Sequence, residues 1–151
     1  MSLTLVTAPA AYPITHAETK DYLNVEHSDD DALIDGLIAA ATEYAEYYTA
    51  RDLIERTWDY SFNNFTRSFC LPKNPVQSVT SITYIDANTS PESQTIATTV
   101  YTLDAGVTPA TIQLQYNQFW PTPRSQHNAV TVRFITGYAG LGSPQDLLSG
   151  S

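Results

Sequence analysis

The sequence is short of cysteine, of positive charge and of long apolar runs, and each shortage removes a class of function. The single cysteine, Cys70, cannot close an internal disulfide, which fits a reducing compartment. Flanked by Phe69 and Leu71, it reads as a small buried apolar side chain. A thiolate nucleophile needs an electropositive setting that these neighbours do not supply. Seven Lys and Arg stand against 16 Asp and Glu, a net charge of −9. Phosphate binding needs clustered cations, and these seven are scattered, which argues against tight binding to DNA or an anionic membrane. No stretch reaches the roughly 20 apolar residues of a membrane-spanning helix. The mildly apolar segment Leu3 to Ala11 lacks the positive flank of a signal peptide.

Reaction chemistry is equally sparse. No G-x-S-x-G elbow, phosphate-cradling glycine loop or H-E-x-x-H pair is present. His16, His27 and His127 have no metal-ligand spacing. Asp86-Ala87-Asn88-Thr89-Ser90 begins like a calcium loop, but Pro91 stands where glycine is required and Ala97 where the bidentate glutamate belongs. Asp29, Asp30 and Asp31 are adjacent, and consecutive helical residues point about 100° apart, so they do not converge on one ion. Glu55 and Asp59 share a strand face, yet nothing places two carboxylates across a cleft. The residues therefore predict no catalytic, cofactor-binding or metal site.

What is present is a globular composition, 42% hydrophobic, with ten tyrosines. Tyrosine suits both strands and protein interfaces, and either use explains the excess. At 151 residues the chain predicts a single domain, 1–151, with a helical part at 14–51, a β module at 52–138 and a tail at 139–151. Residues 1–13 form an extended arm, because Pro9 and Pro13 block helix. Thr15-His16-Ala17-Glu18 is a capping box that opens a helix of about two turns, to Leu23. A second helix runs from Asp29 to about Ala50, with Ser28 as its cap and aspartates favoured in its first turn by the helix dipole. Leu33, Ile34, Leu37, Ile38, Ala41, Tyr44, Ala45 and Tyr48 form its apolar stripe, and Asp35, Thr42, Glu43 and Glu46 its opposite side.

After Arg51-Asp52 the pattern switches to strands. Expected strands are Leu53 to Phe62, Phe69 to Leu71, Val76 to Ile85, Ile96 to Leu103, Thr111 to Tyr116 and Ala129 to Ile135. Asp86 to Thr95 is an expected mobile polar loop, and Trp120-Pro121-Thr122-Pro123 a stiff link. Ser143-Pro144-Gln145-Asp146 reads as a helix start, too short to hold alone, so it is either truncated or docked elsewhere. The fold class predicted is α+β: two N-terminal helices, then a mainly antiparallel β module, with a C-terminal helix absent or truncated.

The order of these pieces, with Tyr48-Thr49-Ala50-Arg51-Asp52-Leu53-Ile54 at the switch, resembles head–tail connector proteins of long-tailed bacteriophages. Ile14-Thr15-His16-Ala17-Glu18, Leu71-Pro72 with Asn74-Pro75-Val76, Ile82-Thr83-Tyr84-Ile85-Asp86, Tyr101-Thr102-Leu103-Asp104 and Trp120-Pro121 carry the same resemblance. It implies a structural virion protein, not an enzyme. Copies would form a ring between portal protein and neck or tail-completion proteins and extend the DNA channel. The DNA only passes through, without sequence-specific binding, and no membrane is involved. The protein would belong to the virion and, during assembly, to the host cytoplasm. Members of that family usually continue beyond the position of Pro144 into a further helix.

A ring grows from unlike patches meeting, and the chain offers two: twelve of its 16 acids fall at or before Asp59, leaving the later part nearly balanced. Tyr47, Tyr48, Arg51 and Arg124 are the candidate contacts between copies. Asp35, Glu43 and Glu46 are candidate channel-facing acids that would repel the DNA backbone. The alternative is a tail-associated binding module that recognises a glycan or protein through the β-face aromatics Trp58, Tyr60, Tyr101, Tyr116 and Trp120.

Overall fold

The computed structural model describes residues 1–9, 11–88 and 90–138, so the expected helix start at Ser143 lies outside the described residues. In chain order the elements are β1 (Ser2–Thr7), α1 (His16–Leu23), α2 (Asp31–Thr49), β2 (Arg56–Phe62), β3 (Ser68–Cys70), β4 (Val76–Ile85), β5 (Ser93–Thr95), β6 (Tyr101–Asp104), β7 (Thr111–Leu114) and β8 (Val130–Thr136). One sheet has the order β1-β2-β8-β4-β5 and a second the order β3-β7-β6. Every strand pairing is antiparallel. The class is α+β, as the patterns predict, with one correction to the order. The N-terminal arm is a strand, so the helices interrupt the β module instead of preceding it. β1 lies along β2, with Leu3 opposite Tyr60 and Leu5 opposite Trp58.

α1 begins with the predicted box: the Glu18 amide donates to Thr15 Oγ1 at 3.2 Å and the Thr15 amide to Glu18 Oε2 at 2.9 Å. α2 departs from expectation at its start. Its cap is Asp30, which makes no side-chain capping bond, while Ser28 offers only its carbonyl to the Asp31 amide. The aspartates are used otherwise, Asp31 being taken by cations of α1.

The burial of α2 is narrower than its apolar stripe. Ile34, Ile38, Thr42 and Glu46 are buried, four residues spaced by one turn, whereas Leu33, Leu37, Tyr44 and Tyr48 are exposed. Periodicity identifies an apolar face, but the area covered depends on the neighbour. α1 is eight residues long and has no buried residue, so it covers little of α2.

The β module has the alternation that makes a core. In β8, Val130, Val132, Phe134 and Thr136 are buried, and Phe62, Leu71, Val76, Ile82 and Ile112 join the three apolar ones in one cluster fed by both sheets. Three local differences have identifiable causes. β5 forms inside the expected polar loop because the Asp86 carboxylate ties that loop down, accepting from Asn88 Nδ2 at 2.6 Å and the Glu92 amide at 3.1 Å. The expected strand from Ile96 is broken by a turn closed by the Val100 amide on Ala97, and pairing resumes at Tyr101. Cys70 is exposed, not buried, because it points away from the face that Phe69 and Leu71 contribute to the core.

Candidate functional site

Four features of the surface bear on function. The first is the junction between α2 and the β module. Ala50 ends the helix in a left-handed conformation, and the chain turns at once into Asp52, which is 1% exposed. Its Oδ2 accepts from Trp58 Nε1 at 2.8 Å and from Thr136 Oγ1 at 2.6 Å, and Lys73 Nζ lies 3.6 Å from Oδ1. Arg56 links this carboxylate to the helix: NH1 is 3.8 Å from Asp52 and NH2 2.7 Å from Glu46 Oε2. Glu46 Oε1 accepts the Leu53 amide at 3.0 Å. Gly137, at φ +95°, packs so closely on the Ile54 carbonyl that no Cβ fits. The orientation of the helices is thus set by a buried ionic network.

The second feature is a clamp between the helices. His16 Nδ1 lies 2.6 Å from Asp35 and Nε2 3.1 Å from Asp31, and Lys20 Nζ donates to Asp31 at 2.7 Å and to the His27 carbonyl at 2.7 Å. Both imidazole nitrogens donate at once only in the protonated ring. The bond to Asp35 accordingly raises the His16 pKa, with Asp31 adding to it against partial desolvation. Lys20 chiefly, then His16, lowers that of Asp31.

The third feature is an apolar groove of about 440 Å³ between α1 and α2, lined by Ile14, Leu23, Ile34, Leu37, Ile38 and Ala41 among others. Beyond it Tyr44 and Tyr48 stack at 6.4 Å, and Tyr47 is 86% exposed. The fourth is the turn after β7, closed by the Gln118 amide on the Gln115 carbonyl at 3.2 Å with Asn117 at φ 58°. It holds Tyr116, 99% exposed, and Phe119, 81% exposed.

These positions sort the residues singled out from sequence. Tyr47, Tyr48 and Arg51 stand together at the end of α2, Arg51 donating to the Tyr138 hydroxyl at 2.8 Å. Arg124 lies apart, in the link before β8, where it donates to the Asn88 carbonyl at 3.3 Å. Asp35 and Glu43 are exposed. Glu46 is not: at 9% exposure and ion-paired, it is a structural acid of the junction and unavailable to a channel.

Of the aromatics expected to form a β-face platform, Trp58, Tyr60, Tyr101 and Trp120 pack in or against the core cluster, and Tyr116 alone of the five stands in solvent. Tyr101 is buried, Trp120 stacks on Phe65 at 4.7 Å, and Trp58 lies under Lys73 and bonds Asp52. Asp59, expected to share a strand face with Glu55, is held by Arg133 in two bonds of 2.8 and 2.7 Å. Among the described residues no three His, Cys, Asp or Glu side chains converge for a metal.

Sequence reasoning missed the roles of Asp52, Arg56 and the Tyr116–Phe119 turn. The turn had a signal, asparagine flanked by polar residues after a strand. The network had none, since its members are scattered along the chain.

The chain resembles a chain in the neck of an empty gene transfer agent particle computed with C6 symmetry, at TM-score 0.70 and 26% identity over 91% of this chain and 72% of that one. A chain in the neck of the native particle, computed with C12 symmetry, gives TM-score 0.70 and 27% identity over 91% and 70%. A chain of the native virion, at 24% identity and TM-score 0.70, shares the fold. No curated protein matches. Residues 14–114, which hold the clamp, all of the groove lining but Pro13, and the carboxylates and cations of the ionic junction, match the phage gp6-like head-tail connector proteins, and the chain belongs to that family.

Proposed function

We propose that copies of this connector join side by side in a closed ring between portal and tail, extending the channel through which DNA passes. The observation that carries this is the unused apolar face of the helices: Leu33, Leu37, Tyr44, Tyr47 and Tyr48 are all exposed on one protomer. A contiguous apolar surface of this kind marks an interaction site. The symmetric necks that contain the similar chains support several copies about one axis. The ionic junction suits such a part, because a ring closes only if each subunit holds its two unlike patches at a fixed angle.

Tyr47, Tyr48 and Arg51 are proposed contacts between copies, with Arg124 at a second, separate patch. Asp35 and Glu43 are the acids proposed to face the channel. Asp35 is partly neutralised by His16, so Glu43 supplies the freer charge. Repulsion between such acids and phosphates lets a duplex slide without sticking. Portal and neck or tail-completion proteins are the proposed partners above and below, in the virion and, before that, in the host cytoplasm. The ring performs no reaction. The test is solution mass and negative-stain imaging of the concentrated protein, alone and with a portal. Closed rings are expected; a protomer mass under every condition would refute the proposal.

A further inference from the structure

Resting on the ring reading above, we propose that the Tyr116–Phe119 turn of one copy inserts into the α1–α2 groove of its neighbour. The two surfaces are complementary in shape. The groove, about 440 Å³, is open and lined by aliphatic side chains of α1, α2 and Leu53. The turn is its converse, a protrusion with two aromatic rings almost wholly in solvent. It is rigidly mounted: the Gln115 amide donates to the Val100 carbonyl at 2.9 Å, and Trp120 stacks parallel to Phe65 within the core. The positive φ of Asn117 is what a type II turn requires at its third position. A pre-formed protrusion loses little conformational entropy on docking.

The surfaces are also complementary in charge. From Ala105 to Tyr138 the chain contains no Asp or Glu. Arg67 is exposed at the base of the turn, where its carbonyl accepts the Leu114 amide, and it has no acidic partner among the described residues. The groove's own lining is uncharged, but the two helices that form it carry Glu18, Asp21, Asp31, Asp35, Glu43 and Glu46 against Lys20 as their one Lys or Arg, so the turn meets a negative field there. Like turns repel each other weakly and like grooves more strongly, so the favoured contact is turn to groove. That contact is heterologous, the kind that propagates around a ring. Two aromatic rings burying about 150–250 Å² each would form the centre of such an interface.

The test uses disulfide trapping in a Cys70→Ser background, since Cys70 is exposed. One chain carries Ala41→Cys in the groove, the other Gln118→Cys in the turn; both positions are exposed. On mixing and mild oxidation, a mixed species of twice the chain mass should outweigh either self-pair. Adding Phe119→Ser to the turn chain should cut its yield about tenfold or more. Rings without the mixed link overturn the docking and leave the ring reading standing. The mixed link without rings supports the docking and removes the closed ring. Absence of both overturns both. In a chain carrying Ala41→Cys and Leu147→Cys, a link at single-chain mass, with no link between copies, would put the tail in the groove and overturn the proposal.

Discussion

Replacing Arg56 by methionine tests whether the ionic junction fixes the helices. Arg56 carries the only cation within 3 Å of Glu46 among the described residues, and its loss leaves that carboxylate, 9% exposed, with one bond from the Leu53 amide. Asp52 is better insured, keeping Trp58, Thr136 and Lys73. Breaking a buried pair from one side costs about 3–5 kcal/mol. Because Asp52 retains its partners and Glu46 lies at the edge, the lower end, about 3 kcal/mol, is expected. With a urea dependence of about 1.5–2 kcal/mol/M, that moves the unfolding midpoint down by about 1.5–2 M. The double variant Glu46→Leu, Arg56→Met removes both charges and should regain most of the loss, since an apolar pair of similar size often replaces a buried ion pair at little cost. The coupling in the double-mutant cycle should be about 2 kcal/mol. A single-variant loss below about 1 kcal/mol, or strict additivity, would refute the assignment of Glu46 and Arg56 as one buried unit.

Four further predictions follow from other sites. Gly137→Ala should cost about 3 kcal/mol or more by chemical denaturation, because the residue sits at φ +95° with the Ile54 carbonyl where a Cβ would lie. Ala50→Gly should stabilise by about 0.5–1 kcal/mol in the same assay, relieving a left-handed alanine at φ 52° at the end of α2. Since the folded pKa of His16 is raised, its contribution to α1 docking is complete below about pH 6.5 and is lost as pH rises through the folded value. Amide exchange in α1 should accelerate over that window in the native protein and lose the dependence in His16→Gln. Glu43→Lys should assemble normally and slow DNA ejection; ejection at the native rate would remove that acid from the channel. Glu46→Lys is uninformative there, because it breaks the junction.

Local signals proved legible in the sequence where they were complete within a few residues. Thr15 to Glu18 contains its own capping geometry, and α1 begins at that box and ends at Leu23 as expected. The alternation of β8 fixes which residues enter the core. The failures share one cause, that burial is a property of two surfaces. The α2 stripe looked wide enough to bury Leu33, Leu37 and Tyr44, yet α1 is too short to cover them. Thr42 and Glu46 looked solvent-facing because they are polar. They are buried because Thr42 returns its hydroxyl to the Ile38 carbonyl at 2.8 Å and Glu46 meets Arg56 ten positions on. Asp52, Trp58, Lys73 and Thr136 converge only through the register of β2 on β8, which no local pattern encodes. The family resemblance was legible because it rests on order along the chain, which survives without knowledge of contacts.

The most direct measurement is made on the particle. Producer cells in which this chain is removed should accumulate DNA-filled heads and free tails that do not join, and supplying the chain in trans should restore complete particles. Complete, tailed and infectious or DNA-delivering particles formed in its absence would contradict a connector.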